Sequence, residues 1–487
     1  MTPIRVRRLW TGLGGDTLDG CLVRFGRGRI ESLEPSCGPW DFMFAMPSFV
    51  DAHCHLLWLG FESVFADLSW TRSKEDILGW LSRSPSPPGG EFLRGEKWDD
   101  SAWSPGALPT LGEMDAASGG APVFLRRVCG HAALVNSASL SLMRGAGLDP
   151  GGPGPLIVEK PVLGFDTAFP PGSGTLSTAL STAVDRALEC GVTAVTTTES
   201  GRHLEAYGSR GTGLLRASIS VFREDLEDRL AEASGLGIRG MKIFLDGAIG
   251  ARTAAMDEPF DDGSTGLEAA GEGELGDLIA DCWEAGLVPM VHAIGGRALR
   301  LLDRAGGAAL RKARQGLRSQ IRVEHAEDLL SAWPGGWDTG VHLFSMQPNF
   351  VARWQQAGGM YETRLGPERA RALNPFGPVL RAGFTLGFGS DGMPFGPLYG
   401  LSGAVGHPDP VLGLAMSEAL EAYTLGAARI SGFEDLAVPL GPGRPSDMAL
   451  LSASPFEAPL DEVAVEGVLA SGELIRLKGT RRGGGSP

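Results

Sequence analysis

The apolar positions of the chain follow one pattern at its two ends and another in between. At the ends, short runs alternate apolar and polar residues; examples are IRVRRLW, CLVRFGRG and RIESLEP near the start and SDMALLSA and EVAVEGVLASG near the finish. An alternation with a period of two is typical of strands that bury one face. The two ends therefore predict one small β-sandwich assembled from residues 1–46 and 440–480, followed by a flexible polar tail at 481–487.

Between the ends, short apolar runs alternate with stretches of helical spacing. Eight runs stand out: AMPSFVDAH, APVFLRRV, GVTAVTTT, RGMKIFLDG, GLVPMVHAI, SQIRVEHAE, VHLFSMQP and GFTLGFGSD. Strands that alternate with helices indicate a parallel sheet, and about eight such units favour an α/β fold of the (β/α)8 type, a TIM barrel, over residues 47–439. Two segments rich in Gly and Pro, 149–176 and 394–411, are expected to be structureless loops at the active site.

Composition and charge narrow the classes of partner. With 43 Lys+Arg against 58 Asp+Glu the net charge is −15, which argues against a protein that binds nucleic-acid phosphates. No apolar run reaches the ~18 residues of a membrane span, and no apolar stretch follows the basic N-terminus as in a secretory signal. The six cysteines form no CxxC pair, which suits a reducing compartment. We therefore expect a cytoplasmic protein without nucleic-acid or membrane partners, and a homodimer is the default oligomer.

Metal-competent side chains occur where several of the predicted strands end. Asp51, His53 and His55 lie in FVDAHCH, at the end of the first run. Positions two apart on a strand face the same side, so the two imidazoles point together with Asp51 behind them. An HxH pair by itself is a modest signal, because a hydrogen-bonded core histidine is a common alternative.

The same placement recurs at four later strand ends. Lys242 lies in RGMKIFLDG, His292 in VPMVHAI, His325 in IRVEHAE and Asp391 in LGFGSDG. In an α/β barrel such positions meet at the C-terminal rim of the strands, where active sites are built. Four of the eight histidines of the chain are therefore expected to converge with an aspartate and a lysine.

The order HxH, Lys, His, His, Asp on strands one, four, five, six and eight resembles the amidohydrolase superfamily. The local phrases resemble its amidohydrolase 3 branch, which includes N-substituted formamide deformylase-like enzymes. From residue 47 to residue 451 they are PSFVDAHCHL, GHAALVNSASL, KIFLDGAIGARTAA, VHAIGGRAL, RVEHAE, SMQP, GSDGMP, AYTLGAAR and PGRPSDMALL. Together they cover nearly the whole chain.

The resemblance implies a metal centre. Six residues match the metal ligands of the family, three for a first buried ion, two for a second ion and one between them: His53, His55 and Asp391, then His292 and His325, then Lys242. The bridging lysine would be carboxylated, because two neighbouring cations need an anionic ligand that reaches both. Imidazole and carboxylate donors suit Zn²⁺ best, with two ions expected and a single ion as the alternative.

The resemblance also implies a reaction. A metal-activated hydroxide would attack the carbonyl of a small amide-type substrate, with Asp391 as general base and then general acid, in a hydrolase of non-peptide carbon–nitrogen bonds. Two alternatives stay open: a mononuclear-metal aminohydrolase (deaminase) of the same superfamily, and a catalytically silent barrel scaffold. Lys242 and the lack of a Glu soon after His292 argue against the first, and the complete ligand set argues against the second.

Three residues are expected to contact the substrate. His131 lies in GHAALVN with Asn136, where a hydrogen bond at the start of a helix is an equally good explanation for both. Arg252 could clamp a substrate carboxylate, although a loop arginine is as often exposed and idle. Gln347 ends a strand in MQP and is expected to line the pocket.

Four other positions bear on the site indirectly. Glu324 and Glu327 flank His325, where either could orient a ligating imidazole or be a solvated acid at the start of a helix. Cys129 and Gly296 stand where the family usually has an acidic residue. Neither is an expected metal ligand, so these two departures concern substrate specificity rather than the metal centre.

Overall fold

The structure is a computed structural model that describes residues 3–85, 91–100, 103, 108–128, 130, 132–158, 160–223, 225, 237–313, 319–333 and 336–477. The predicted tail at 481–487 and the positions of Cys129 and His131 lie outside the described residues. The chain divides into two compact units: Met1–Leu56, Val184–Glu199 and Arg210–Pro487 form one, and Leu57–Ala183 with Ser200–Ser209 forms the other.

Twenty strands occur in the described residues. They are β1 Ile4–Trp10, β2 Thr17–Gly26, β3 Arg29–Pro35, β4 Phe42–Pro47, β5 Phe49–Cys54, β6 Ala66–Asp67, β7 Leu93–Trp98, β8 Val123–Arg127, β9 Ala132–Val135, β10 Leu156–Val158, β11 Val192–Glu199, β12 Arg216–Val221, β13 Ile238–Phe244, β14 Val288–Ala293, β15 Ile321–His325, β16 His342–Met346, β17 Thr385–Phe388, β18 Met448–Leu451, β19 Val465–Ala470 and β20 Glu473–Arg476.

The helices lie between these strands. The α-helices span Leu56–Val64, Lys74–Arg83, Leu111–Ala117, Ser137–Gly145, Lys160–Leu163, Phe165–Ala168, Ser173–Glu189, Leu204–Arg210, Glu272–Glu284, Gly296–Lys312, Pro348–Phe350, Met360–Leu365, Pro367–Arg371, Phe376–Arg381, Pro397–Val405, Met416–Glu421 and Ala427–Ile430. Shorter 3₁₀ segments span Gly201–His203 and Leu329–Ala332, and π-helical segments span Val351–Gln355 and Ala422–Gly426. No helix in the described part of the chain combines the length and the apolar character needed to cross a membrane.

The sequence predicted a small β-sandwich assembled from both chain ends, and strands from both ends do assemble into one sheet. Its seven strands run in the order β20-β19-β18-β4-β1-β2-β3. The N- and C-terminal parts join where β4 pairs antiparallel with β18, Ala45 facing Leu450. The β2–β3 turn at Gly28 approaches Ser471 in the β19–β20 turn, so the two ends of the sheet meet and enclose an apolar core.

Eight parallel strands form the predicted barrel, in the order β17-β16-β15-β14-β13-β12-β11-β5. Every residue of β5 and of β11 is buried, as expected for parallel strands that are covered on both faces. At Gly389, just after β17, a Cβ atom would lie 2.3 Å from the backbone nitrogen of His53. A glycine is therefore required there to let the end of β17 approach β5 and bring the last barrel strand close to the first.

One of the eight predicted barrel strands is wrong. The run APVFLRRV contains β8, which lies in a five-stranded sheet of order β10-β9-β8-β7-β6 outside the barrel. The third barrel strand is β12, RASISV. It was missed because Ser218 and Ser220 break its apolar pattern; the Ser220 hydroxyl is buried and hydrogen-bonds the Thr198 hydroxyl at 2.8 Å on the neighbouring strand.

The five-stranded sheet belongs to the second compact unit. Asn136 caps the helix Ser137–Gly145, with its side-chain oxygen accepting from the backbone N–H of Ser139 at 3.1 Å, so a helix-start role accounts for this residue.

The two segments predicted as structureless loops are partly regular. Segment 149–176 contains β10 and two short helices, and 394–411 contains the helix Pro397–Val405.

Candidate metal centre

Six polar side chains lie at the carboxyl ends of five barrel strands. They are His53 in β5 with His55 just after it, Lys242 in β13, His292 in β14, His325 in β15 and Asp391 just after β17. In barrel order these are strands one, four, five, six and eight, which is the order that the sequence predicted. The carboxyl ends of parallel strands share one rim of the barrel, so residues far apart in the chain meet there.

The HxH pair faces Asp391. The carboxylate oxygen Oδ1 of Asp391 lies 3.2 Å from Nε2 of His55 and 3.6 Å from Nε2 of His53. The ammonium nitrogen of Lys242 lies 3.3 Å from the same Nε2 of His53. The backbone N–H of Asp391 donates to the His53 carbonyl at 2.7 Å, which fixes the aspartate beside the first strand.

The other two histidines extend this cluster. The His325 ring centroid lies 4.9 Å from that of His53 and 4.4 Å from that of His292. One ligand atom each from His53, His325 and Asp391 falls within 4.8 Å of the others, close enough to share one metal ion. Both His325 and Asp391 have positive φ angles, 72° and 53°, a backbone conformation that is uncommon for residues other than glycine and concentrates at functional sites.

The protonation states of the cluster suit a cation. Burial lowers the pKa of His292 to about 3 and the pKa of His325 well below its usual range, so both imidazoles are neutral. Burial also lowers the pKa of Lys242 to about 8. Burial raises the pKa of Asp391, but its histidine and lysine neighbours outweigh this and hold the pKa at about 2. Neutral imidazoles, an ionised carboxylate and a readily deprotonated amine fit a divalent metal ion.

Buried atoms without partners also fit a metal ion. Nδ1 of His325 is buried and has no hydrogen-bond partner among the described residues. A buried polar atom of this kind is costly unless something binds it. The cluster therefore has the donor types, the proximity and a vacant donor atom that a metal centre requires.

The sequence profile of the amidohydrolase family matches residues 43–476. The chain belongs to the amidohydrolase family. This is the family that the motifs of the sequence resemble, and the match covers the barrel together with strands β4, β18, β19 and β20 of the terminal sheet.

Individual relatives agree with the family. YtcJ of Bacillus subtilis, a protein named as an amidohydrolase, is 29% identical over 483 residues, which cover 89% of each chain. N-substituted formamide deformylase of Arthrobacter pascens is 25% identical over 479 residues, which cover 86% of this chain and 85% of the deformylase. A metal-dependent hydrolase of Pyrococcus horikoshii OT3 has a similar fold, with a TM-score of 0.75 and 23% identity over 95% of this chain and 99% of that one.

In this amidohydrolase, Asp51 connects the first strand to the segment that carries Asp391. Its carboxylate accepts from the backbone N–H of His53 at 3.0 Å, from the backbone N–H of Ser390 at 3.0 Å and from the Ser390 hydroxyl at 2.5 Å. Burial raises the pKa of Asp51 to about 7. Asp51 thus lies behind the HxH pair, as the sequence indicated, and Ser390 is a supporting residue that sequence reasoning missed.

Asp246 supports the segment next to His292. Its carboxylate accepts from the backbone N–H groups of Ala255, Ile294 and Gly295 at 2.8–3.0 Å. Nε2 of His292 is 3.0 Å from the Gly247 carbonyl and 3.7 Å from Oδ1 of Asp246. Three backbone donors thus contact Asp246, and the carboxylates that act on the pKa of Lys242 are those of Glu324 and Asp391.

Two further residues contact the cluster. Oε2 of Glu324 contacts Nδ1 of His53, and Arg322 in turn contacts Glu324; the sequence singled out Glu324 but not Arg322. Phe244 ends β13 with its ring centroid 5.0 Å from that of His292, and 45% of its surface is exposed. Phe244 is apolar, so a pattern of polar residues at strand ends does not mark it, although its place at the end of β13 does.

The expected substrate contacts have different outcomes. Gln347 is buried and lies against the cluster, because its side chain is one of the groups that act on the pKa of His325. Arg252 is instead occupied: its Nε and Nη2 donate to the two carboxylate oxygens of Asp261 at 2.6 and 2.7 Å. His131 lies outside the described residues.

The departure at Gly296 has a steric explanation. Gly296 begins the helix that follows β14. A Cβ atom there would lie 2.7 Å from a carboxylate oxygen of Asp257, 2.7 Å from Cβ of Ser331 and 3.1 Å from a carboxylate oxygen of Asp328. The Cβ atom of an acidic residue, which is usual at this position in the family, would therefore overlap Asp257 and Ser331. Its carboxylate would also lie close to those of Asp257 and Asp328, so a glycine is the residue compatible with these neighbours.

Proposed function

We propose that this amidohydrolase is a metal-dependent hydrolase of non-peptide carbon–nitrogen bonds in a small amide-type substrate. The observation that carries the proposal is the convergence of His53, His325 and Asp391 within 4.8 Å at the rim of the barrel. Lys242, 3.3 Å from His53, supports it because its position suits a bridge between two ions. The relative named N-substituted formamide deformylase acts, by its name, on formamides, and formamides are amides.

The residues would divide between two zinc ions. His53, His55 and Asp391 would hold the first, and His292 and His325 the second. Lys242 would bridge them as a carbamate, formed when its neutral amine nitrogen bonds to the carbon of CO₂ and releases a proton. A pKa of about 8 makes a substantial fraction of the neutral amine available near neutral pH. Zinc suits this mixture of imidazole and carboxylate donors.

The side chains of the site would carry the proton transfers. When bound, the metal ions would polarise the substrate carbonyl and lower the pKa of water. Asp391 is ionised at neutral pH and can therefore accept a proton from the attacking water. It would return that proton to the leaving nitrogen as the carbon–nitrogen bond breaks, which makes it general base and then general acid.

A mononuclear aminohydrolase is the second candidate. The specific observation in its favour is that His53, His325 and Asp391 form a compact one-ion cluster without His292. Nε2 of His292 is meanwhile held by the Gly247 carbonyl at 3.0 Å. A single ion would leave Lys242 without a bridging role.

Metal content separates these proposals. The protein would be purified with Zn²⁺ and ¹³C-bicarbonate, and zinc per chain would be measured by elemental mass spectrometry beside a ¹³C NMR spectrum. Two ions per chain with a carbamate resonance that is lost in Lys242→Ala, together with hydrolysis of formamides in a substrate panel, are the results expected. One ion without the resonance would favour the mononuclear enzyme. Absence of bound metal would overturn both and favour a silent barrel.

A further inference from the structure

A buried ion pair lies directly behind the metal-competent histidines. Arg322 and Glu324 are two residues apart on β15, so both side chains lie on the same face of that strand. Nε of Arg322 donates to Oε1 of Glu324, and Nη2 donates to Oε2 at 3.2 Å. Each side chain is only 1% exposed. A two-point contact of this kind holds both groups in one orientation.

Arg322 also connects β15 to the first two barrel strands, β5 and β11. Its Nη2 donates to the carbonyl of Ala52, the residue before His53, and its Nη1 donates to the Thr196 hydroxyl on β11 at 3.1 Å. The Thr196 hydroxyl continues to the Ser431 hydroxyl at 2.8 Å. The guanidinium is therefore fixed by contacts from three strands. Because it donates to both oxygens of Glu324, it also fixes the position of that carboxylate.

The Glu324 carboxylate also contacts an imidazole of the candidate metal centre. Oε2 of Glu324 contacts Nδ1 of His53. Because the guanidinium of Arg322 donates to both oxygens of Glu324, this carboxylate acts as an acceptor towards His53. Nδ1 of His53 must then carry the proton, and the lone pair of its Nε2 is directed to the side of Asp391 and Lys242.

His53 differs in this respect from two of the other histidines. Nδ1 of His55 faces the Thr198 carbonyl at 3.3 Å, and Nε2 of His292 faces the Gly247 carbonyl at 3.0 Å. A carboxylate is a stronger acceptor than a peptide carbonyl and makes the opposite nitrogen of the ring a better donor to a metal. Nδ1 of His53, by contrast, is in direct contact with the buried carboxylate of Glu324.

We propose that Arg322 and Glu324 are positioning residues that set the affinity of the first metal ion. Glu324 fixes the tautomer and the direction of His53, and Arg322 holds the Glu324 carboxylate in place. This inference rests on the proposed function, because it requires that His53 is a metal ligand. It adds two residues that hold no metal themselves and yet determine how tightly the first ion binds.

The test uses a variant that removes both charges together. A single substitution would leave one buried charge without its partner and could unfold the protein, whereas replacing both members of a buried ion pair is often tolerated. The double variant R322M/E324Q keeps the approximate size of both side chains. The control is R216M/D435N, which removes the exposed two-point pair of Arg216 and Asp435, with distances of 2.8 and 2.9 Å.

Both variants and the wild type would be stripped of metal and titrated with Co²⁺ in competition with a chelator. The readouts are the affinity for the first ion, its visible absorption spectrum and the unfolding temperature of the metal-free protein. In R322M/E324Q we expect an affinity about 10- to 100-fold weaker and an altered spectrum, with little change in the unfolding temperature. The control is expected to match the wild type in affinity and spectrum.

A second variant covers the case in which the double variant does not fold. Glu324→Asp keeps the charge beside Arg322 but shortens the side chain by one methylene, so the carboxylate no longer reaches Nδ1 of His53. The same loss of Co²⁺ affinity is expected.

Wild-type affinity and spectrum in either folded variant would overturn the positioning role and leave the proposed function intact. A wild-type protein that binds no Co²⁺ would overturn both.

Discussion

Two buried clusters of arginine and carboxylate show how the same chemistry takes different roles in one chain. In the barrel, Arg322 holds Glu324, and Glu324 ends on the imidazole of His53. In the unit with the five-stranded sheet, Arg94 and Arg126 both donate to Asp166, at 2.7 and 2.6 Å. Both clusters are buried and charge-assisted, so burial and pairing alone do not distinguish a functional cluster from a structural one.

The difference lies in the third partner of each cluster. The Arg126 guanidinium lies 4.9 Å from the ring centroid of Trp58, and that of Arg94 lies 5.0 Å from the ring centroid of Phe165. Aromatic faces attract cations, so these rings help to hold two buried positive charges. The barrel cluster ends instead on a residue that can bind metal. The two clusters therefore differ in the group that they contact: an imidazole in the barrel and aromatic rings in the other unit.

The largest expected contrast is between the two aspartates near these clusters. Asp391→Asn removes the proposed general base and is expected to lower kcat by about 10²- to 10⁴-fold with the fold intact. Asp166→Asn leaves two buried guanidinium groups without a full countercharge and is expected to lower the free energy of unfolding by about 3–5 kcal/mol, with kcat per folded molecule unchanged. Steady-state kinetics and urea unfolding of both variants measure the contrast. Full turnover in Asp391→Asn would remove this residue from the mechanism.

The arginines give the next contrast, because both variants should lose stability and only one should lose metal. Arg322→Met and Arg126→Met each leave a buried carboxylate less well paired, and each is expected to lower the free energy of unfolding by about 3–5 kcal/mol. Zinc per folded chain is expected to fall only in Arg322→Met. Urea unfolding and elemental analysis of the folded fraction measure the two effects. Equal zinc loss in both variants would mean that general destabilisation, rather than His53, explains it.

The location of the candidate metal centre could be predicted because its polar side chains stand out in strands that are otherwise apolar. A histidine, lysine or aspartate at the end of an otherwise apolar strand is visible in a pattern of apolar and polar positions, and strand ends of a parallel barrel meet at one rim. The predicted barrel positions of Lys242 and the later residues are nevertheless correct. The wrongly included β8 and the omitted β12 both precede Lys242, so the number of strands before it is unchanged. Two errors cancelled, so the correct order was partly fortunate.

The partners of the buried charges were not predictable in the same way, except that Arg322 and Glu324 lie two residues apart on one strand. Strands β7 and β8 have the sequences LRGEKW and VFLRR. Their buried charges are stabilised by ion-pair partners, and the sequence alone does not identify those partners. Glu324 and His53 are 271 positions apart in the chain. Charge pairing across such separations depends on the tertiary fold, whereas apolar periodicity is a local property of the sequence.

Glu96 of the structural cluster and Glu324 of the barrel cluster should also respond to pH with opposite signs. Burial raises the pKa of Glu96, beside Arg126, from 4.5 to about 7. The folded state then binds a proton that the unfolded chain has released, so the stabilising contribution of Glu96 is complete below pH 4.5 and is lost as the pH rises through about 7. The pKa of Glu324 is lowered, so its contribution is present above the unfolded value and is lost as the pH falls.

Glu96→Gln tests the sign for the structural cluster. The glutamine does not ionise, so the variant should gain stability relative to the wild type as the pH rises from 5 to 8, by on the order of 1–3 kcal/mol in total. Arg94 and Arg126 keep Asp166 as a partner throughout this range, because the pKa of Asp166 is held at about 2 against the effect of burial. Urea midpoints of both proteins across the range measure the gap. A gap that stays constant with pH would mean that Glu96 ionises normally.

An exposed pair provides the smallest expected effect and isolates the contribution of burial. Arg252 and Asp261 form a two-point contact at 2.6 and 2.7 Å, with geometry as good as that of the buried pairs. Solvent screens such pairs, so Arg252→Ala should change the free energy of unfolding by less than about 1 kcal/mol.

Because Asp261 occupies the guanidinium, KM should change less than about twofold, in contrast to the loss of substrate affinity that a carboxylate clamp predicts. Asp261→Asn sharpens the test, since it weakens the hold on Arg252 without removing it. If KM rises in Arg252→Ala and falls in Asp261→Asn, the arginine exchanges between Asp261 and the substrate; if neither moves, the two-point contact on the surface is structural and burial is what gives the other pairs their effect.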